Sequence, residues 1–199
     1  MSAGGLLTQN KGILLLSGGL DSAVLLCKLL RAKYEVVPLM FDYGQKNVKE
    51  LDYAKRLCRE RGITDYHEVK LDLSFISDSP IVHGGKVEYN KVQNTVYINA
   101  RNIIFLSIAT GLAEKINARY VFIGTTMIGT KTLASVTPDS TGVFIDAFNV
   151  AVKYGTIKKP IIRAPYVYYG KKHIIKSAKY FGLEPVSYTH LTLPTTPYV

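Results

Sequence analysis

Gly12-Ile13-Leu14-Leu15-Leu16-Ser17-Gly18-Gly19-Leu20-Asp21-Ser22, continued by Ala23-Val24-Leu25-Leu26-Cys27-Lys28-Leu29-Leu30, reads as a buried strand, a glycine turn and a helix. A parallel strand covered on both faces shows as a continuous apolar run, and Ile13 to Leu16 supplies one. Gly18 and Gly19 open backbone angles closed to other residues and let the main chain approach a ligand closely. The helix that follows aims its unpaired N–H groups and positive dipole end back at the turn, which suits an anion such as phosphate. The plainer alternative is a strand–turn–helix corner in which Asp21 or Ser22 serves only as an N-cap.

At 199 residues the chain fits one domain with a full core. Hydrophobic residues make up 47% and charged ones 20%, a globular rather than a disordered composition. No apolar run approaches the ~20 residues that span a bilayer, so no membrane partner is expected. Met1 to Lys11 lacks the basic start and apolar centre of a signal peptide. Cys27 and Cys58, the only cysteines, each lie in a helix-like segment, which argues against a disulfide framework and for a cytoplasmic protein. The net charge is +10 and uneven: no acidic residue lies between Asp146 and Glu184, where eight lysines and arginines fall. Such a skew marks a nucleic-acid or polyphosphate partner, or simply a solvated basic face. No RNA-binding motif accompanies it.

Along the chain, Glu35 to Phe41 reads as a second strand ending at Asp42-Tyr43-Gly44-Gln45. Lys46 to Arg61 is an amphipathic helix stopped by Gly62, and His67 to Leu73 a third strand. Ser74 to Asn99 is irregular, with Val87, Tyr89, Val92, Val96, Tyr97 and Ile98 available for one or two short strands. Arg101 to Asn117 is apolar almost all round and is expected to be a buried helix. Tyr120 to Gly124 is a fourth strand, Thr125 to Gly142 a loop and Val143 to Tyr154 a helix. Ile161 to Val167 is a short apolar segment, and Lys171 to Phe181 a last helix. Alternating strands and helices imply right-handed crossovers and a parallel sheet with helices on both faces. Ligands of such sheets sit beyond the carboxyl ends of the strands. Those ends carry Ser17 to Ser22, Asp42 to Gln45, and Gly124 to Thr126, and their convergence favours a nucleotide site.

The loop is neither G-x-x-x-x-G-K-[ST] nor G-x-G-x-x-G. Ser17-Gly18-Gly19-x-Asp21-Ser22 after a strand instead resembles the PP-loop of the adenine-nucleotide alpha hydrolases, whose fold is α/β, Rossmann-like (HUP/PP-loop). That superfamily typically activates a carboxylate or carbonyl oxygen by adenylation and releases pyrophosphate. The resemblance implies that Leu16, Ser17, Gly18, Gly19, Leu20, Asp21 and Ser22 hold ATP, with Asp21 assisting through Mg²⁺.

Two further stretches, Phe41-Asp42-Tyr43-Gly44-Gln45-Lys46 and Ala100-Arg101-Asn102-Ile103-Ile104-Phe105-Leu106, are similar to the FDYGQ and [GA]RN-x-x-FL motifs of 7-cyano-7-deazaguanine synthases, the QueC family. Phe144 to Phe148 and Tyr154 to Thr156 extend the likeness, which runs from about Lys11 to Leu183. That family converts 7-carboxy-7-deazaguanine, ammonia and ATP to the nitrile preQ0 on the queuosine and archaeosine pathways. It implies a deazaguanine carboxylate and ammonia as small-molecule partners. It also implies Asp42, Tyr43, Gly44, Gln45, Asn102 and Gly124 around ATP, and Asp21, Arg101 and Asp139 as catalytic residues, with Lys131 as a further candidate for orienting the carboxylate. A homodimer is compatible with it, and nucleic acid is not among its expected partners.

Several of these residues also have plainer readings. Asp42 can cap a turn, and Asn102 can be a helix-start residue. Arg101 is harder to explain away, because a cation opening a buried helix opposes the dipole, whereas a guanidinium grips oxyanions in a fixed fork. Cys27 reads as a small core hydrophobe, and His67, His83 and His173 show no metal spacing.

Two stretches depart from the family pattern. Between Leu133 and Thr141, only Ser135, Pro138 and Asp139 match its D-x-S-G-Y-P-D-C-R-like run, and Thr141 stands where the arginine would be. The family closes with four cysteines binding a structural zinc, but no cysteine follows Cys58 here, so the ligands of that zinc are missing. Val186 to Val199 reads as a non-native tail after a single domain over residues 1–185, with a genuine polar extension as the alternative. Two other functions stay open: a PP-loop tRNA-modifying adenylating enzyme using the basic segment, and an inactive truncated nucleotide-binding fragment.

Overall fold

The opening apolar run becomes the centre of a five-stranded sheet. The computed structural model describes residues 8–44, 49–76, 98, 100–126 and 137–183. In it strand β1 (Thr8–Leu15) pairs with β2 (Glu35–Asp42) on one side and, on the other, with a strand over Ala118–Phe122. The outer strands are β3 (His67–Lys70), beside β2, and one over Ile161–Arg163 at the far edge. Numbering the last two β4 and β5, the order is β3-β2-β1-β4-β5 and every pairing is parallel.

The strand period of two divides the core. Leu14, Leu16, Val36, Met40 and Phe122 face one side, where they meet α1 (Leu20–Arg31) and α2 (Lys49–Glu60). Ile13, Leu15, Leu39, Phe41, Val121 and Ile123 face the other side, against α3 (Arg101–Ile116) and α4 (Gly142–Gly155). The last helix, α5 (Lys171–Tyr180), joins the first side through Ile174 and Ala178. Leu14, Leu25 and Leu26 are fully buried, each stabilising the fold by about 1.5–3 kcal/mol relative to exposure. Helices cover both faces, as the alternating pattern implies. No helix among the described residues is long and apolar enough to cross a membrane.

Three expectations shift. β4 starts at Ala118 and ends at Phe122, two residues early at each end, although Ile123 still donates its N–H to Arg163 O at 3.0 Å. β3 stops at Lys70, with Leu71 N bonding Asp42 O at 2.7 Å just past the strand. The helix over 101–116 is buried along one stripe only: Asn102, Phe105, Leu106, Ala109, Thr110 and Ala113 face inward, while Ile103 is 42% exposed. A helix lying on a sheet can cover only one face, and the polar members of the buried stripe are satisfied locally, Thr110 Oγ1 donating to Leu106 O at 2.7 Å. The expected short strands around Val87 to Tyr97 lie outside the described residues. Within the loop expected over 125–142, Pro138–Ser140 forms a 3₁₀ turn.

Candidate active site

The chain moves from β1 outward to β2 and β3, then crosses back to β4 and β5, so the strand order reverses between β1 and β4. The crevice at that reversal, beyond the carboxyl ends of the strands, is where a parallel sheet of this kind takes a ligand. Leu16 prolongs the β1–β2 ladder, its N–H donating to Leu39 O at 2.9 Å, while its side chain is buried in the core. The turn follows. Gly18 has φ +83°, and a Cβ there would lie 2.0 Å from the Glu50 carbonyl oxygen, so the first turn of α2 is seated directly on the loop. Gly19, the N-cap of α1, has no side chain with which to cap it.

The hydroxyls tie the loop to itself. Ser17 Oγ accepts from Gly19 N at 3.2 Å and lies 3.2 Å from Ser22 Oγ, which donates to Gly19 O at 2.9 Å. Gly124 passes over the same turn: a Cβ on it would lie 3.1–3.2 Å from the backbone of Asp21 and Ser22. Leu16 to Ser22 and Gly124 are thus brought together around the open N-terminus of α1, an arrangement suited to phosphate.

Asp21 stands in the first turn of α1. Its Oδ2 lies 2.8 Å from Lys171 Nζ at the start of α5, and its Oδ1 is buried without a hydrogen-bond partner among the described residues. Asp21 also acts on Tyr166, a fully buried tyrosine whose hydroxyl has no hydrogen-bond partner either. Burial first, and the Asp21 charge second, push the Tyr166 phenol up to about 12.

At the end of β2, Asp42 Oδ1 accepts from Gly44 N at 3.3 Å, and Gly44 has φ +79°; the carboxylate therefore does cap a turn. Tyr43 leans on Phe105 at 5.4 Å, and Phe105 in turn stacks on Phe41 at 4.0 Å. Arg101 Nη1 donates to Tyr43 OH at 3.4 Å, and among the described residues no carboxylate pairs with this guanidinium. Gln45 and Lys131 lie outside the described residues.

Asn102 and Asp139 meet each other at the start of α3, where Arg101 is the first residue. Ala100, the N-cap of α3, sits in the left-handed region at φ 53° and provides no side-chain cap. Asp139 supplies one from 37 residues away, its Oδ2 accepting from Asn102 N at 2.9 Å. Asn102 Nδ2 donates back to Asp139 O at 3.0 Å and to Ser140 Oγ at 3.1 Å. Both residues are buried. A carboxylate at this position satisfies an orphan N–H and offsets the cost of a cation opening the helix. Thr141 Oγ1 closes the next helix by accepting from Phe144 N at 3.1 Å.

Reading the sequence left Lys171 unassigned among the basic residues after Asp146. Its one local signal is position: it opens a helix directly after Gly170, as Leu20 does after Gly19. The rest of that basic stretch is dispersed. Lys158 Nζ donates to Glu114 O at 2.6 Å, Lys153 lies over the Tyr154 ring, and Arg163 lies over the Tyr120 ring. Cys27 and Cys58 are buried core thiols, both pushed up by burial and Cys58 to about 11, which fits Cys27 as a core hydrophobe. Among the described residues, no three His, Cys, Asp or Glu side chains come together as a metal site would require.

Residues 11–193 match the family model described as queuosine biosynthesis protein QueC. A 7-cyano-7-deazaguanine synthase of Acetivibrio thermocellus is 36% identical over 173 residues, covering 85% of this chain and 78% of that protein. Among solved structures, the NH3-dependent NAD synthetase of Campylobacter jejuni superposes with a TM-score of 0.52 at 21% identity, over 94% of this chain and 71% of that one. A 4-thiouridine synthetase in complex with RNA and ATP gives 0.56 at 18% identity, over 90% and 42%. These two likenesses speak for the fold alone.

Proposed function

This chain belongs to the QueC family of queuosine biosynthesis proteins, and on that premise we propose that it converts 7-carboxy-7-deazaguanine and ammonia to 7-cyano-7-deazaguanine at the expense of ATP. The observation that carries the reading is the pairing of an open helix N-terminus at the sheet's reversal point with a guanidinium, Arg101, that no described carboxylate neutralises. The first suits a polyphosphate, the second a carboxylate.

ATP would lie with its phosphates on Leu16 to Ser22 and its adenosine toward Asp42 to Gly44. Gly124 leaves room for the chain to pass close above. Arg101, steadied by Tyr43, turns the substrate carboxylate toward the α-phosphorus. One carboxylate oxygen forms a bond to that phosphorus, and the bond to the bridging oxygen breaks with its electron pair leaving on pyrophosphate. Ammonia displaces AMP from the acyl-adenylate to give an amide. The amide oxygen then bonds to the α-phosphorus of a second ATP, releasing a second pyrophosphate. That oxygen leaves with AMP as the nitrogen gives up its two protons and the nitrile forms. Positioning and charge neutralisation do the work, and no protein nucleophile is required. Asn102 and Asp139 hold the start of α3, and with it Arg101, in place.

Asp21 is the residue that fits magnesium, because its Oδ1 is buried and lacks a hydrogen-bond partner among the described residues. The ion would neutralise phosphate oxygens. The family's zinc has no cysteine ligands after Cys58, and we assign it no part. A cytoplasmic setting would keep both thiols reduced. A homodimer would cover the exposed Val143, Val150 and Tyr154 of α4, and sedimentation would detect it.

The test is release of AMP and pyrophosphate by the purified chain. Both are expected to depend on 7-carboxy-7-deazaguanine and on ammonia. ATP that binds but turns over without regard to either would overturn the acceptor. Release that depends instead on tRNA would move the chain to RNA modification.

A further inference from the structure

We infer that Lys171 is the cation of the phosphate cradle, held on Asp21 until pyrophosphate oxygens take that place. The inference rests on the ATP reading above. No lysine or arginine occurs between Leu16 and Ser22, yet the leaving pyrophosphate carries several negative charges that the half-charge of a helix N-terminus meets only in part. The cation arrives from a distant part of the chain: Lys171 Nζ lies 2.8 Å from Asp21 Oδ2, 150 residues away in sequence.

Neither the helix nor the fold gains from a lysine at this point. Lys171 and Lys172 open α5 with no acidic residue in the first turn and with Gly170 as an N-cap that has no side chain to contribute. A cation there opposes the helix dipole. The ion pair offsets little of that cost, because the Lys171 side chain is 58% exposed and water screens such contacts. Asp21 is the more buried partner, at 20%, and stands at the opening of the phosphate loop. The pair therefore acts as a post and a swinging arm. The carboxylate fixes where the lysine stem points, and the compact ammonium has three donors and a flexible four-carbon reach. Moving from the carboxylate to a phosphate oxygen needs only side-chain rotation.

The chemistry places that charge where it is required. As the bond between the α-phosphorus and its bridging oxygen breaks, the electron pair stays on the pyrophosphate oxygen. An ammonium at the mouth of the loop stabilises that oxygen and transfers no proton. When pyrophosphate departs, Lys171 returns to Asp21, so neither charge is left uncompensated.

The experiment measures binding of inorganic pyrophosphate, ATP and AMP to the full chain by calorimetry, with steady-state kinetics alongside, for Lys171→Ala and Lys171→Arg. Lys171→Ala is expected to weaken pyrophosphate and ATP by about 10- to 100-fold, the worth of one charged hydrogen bond, while AMP changes less than about twofold and the melting temperature holds. Lys171→Arg restores most of the loss. Asp21→Asn, which keeps the shape but loses the post, weakens pyrophosphate in the same direction. Unchanged pyrophosphate binding in Lys171→Ala overturns the role of the lysine and leaves the ATP reading standing. Equal loss for AMP and pyrophosphate with a lowered melting temperature also overturns it, in favour of a structural pair. A wild-type chain that binds neither ATP nor pyrophosphate overturns both readings.

Discussion

The N-terminus of α1 ends on a glycine that has no side chain to cap it, whereas that of α3 is closed by a buried carboxylate brought from another part of the chain. Both ends lie at the carboxyl edge of the same parallel sheet, so both carry the partial positive charge of a helix start. The difference lies in what satisfies it. At α1 the hydroxyls of Ser17 and Ser22 bond to the loop itself and keep its shape. At α3, Asp139 and Asn102 exchange hydrogen bonds and complete the cap internally. An unsealed helix start is free to take an anion; a sealed one fixes its own backbone, and with it the start of α3 from which Arg101 extends.

The comparison breaks most sharply at Gly18. Gly18→Ala would put a Cβ 2.0 Å from the Glu50 carbonyl oxygen at a φ of +83°, costing about 1–3 kcal/mol in backbone strain before α2 moves at all. We expect ATP affinity to fall by about 100-fold or more, roughly the loss of two charge-assisted hydrogen bonds, with a lowered melting temperature. Wild-type affinity in this variant, measured by calorimetry, would show that the loop does not depend on its seat against α2.

Asp139 tests the sealed end. Asp139→Ala leaves the buried Asn102 N–H without its acceptor and is expected to lower stability by about 1–3 kcal/mol, seen in urea unfolding. Asp139→Asn keeps an acceptor oxygen, so turnover is expected to stay within a few-fold of wild type. Abolished turnover at unchanged stability would instead give the carboxylate charge a part in the chemistry. A smaller effect is expected of Thr141→Ala, which removes the α4 cap: about 1 kcal/mol, read as a lower melting temperature with ATP affinity unaltered. A changed ATP affinity would link the two ends.

The smallest effect is alkaline. Cys58 is raised from an ordinary 9.0 to about 11 and Tyr166 from 10.0 to about 12, chiefly by burial. In both, the folded chain keeps a proton that the unfolded chain releases sooner. Their stabilisation is therefore whole below about pH 9 and is lost as pH rises through 11 and 12. Melting temperatures should decline over that window, and Tyr166→Phe should flatten the part above pH 10. No flattening would mean that the phenol beside Asp21 titrates like an exposed one.

What the sequence shows of this molecule is what lies close together in it. β1, the glycine turn and α1 are contiguous, and their apolar run, turn residues and helical spacing each point the same way. β5 spans only three residues, yet Ile161 and Ile162 mark it. The contacts that finish the site are not local. Asp139 reaches Asn102 across 37 positions and Lys171 reaches Asp21 across 150, and neither spacing has a periodicity to reveal it. The helix over Arg101–Ile116 misleads for a related reason. Its isoleucines read as buried all round, but composition does not say which face meets the sheet, and Ile103 remains outside.

The alternation of side chains along β1, β2 and β4 has a consequence for how this chain can change. The phosphate loop is rooted through α1 and α2 in the side chains on one face of the sheet, and Tyr43, Arg101's helix and α4 in those on the other. The sheet stands between them as a bulkhead. A volume change on one side is absorbed by its own layer and reaches the other only through the main chain of the strands, whose hydrogen-bonded ladders yield least. Substitutions in the layer that carries α3 and α4 are therefore expected to leave the loop between β1 and α1 in its geometry. The sequence shows a matching contrast: SGGLDS is intact, whereas the stretch from Leu133 to Thr141, whose last residue caps α4, is one of two that depart from the family's pattern.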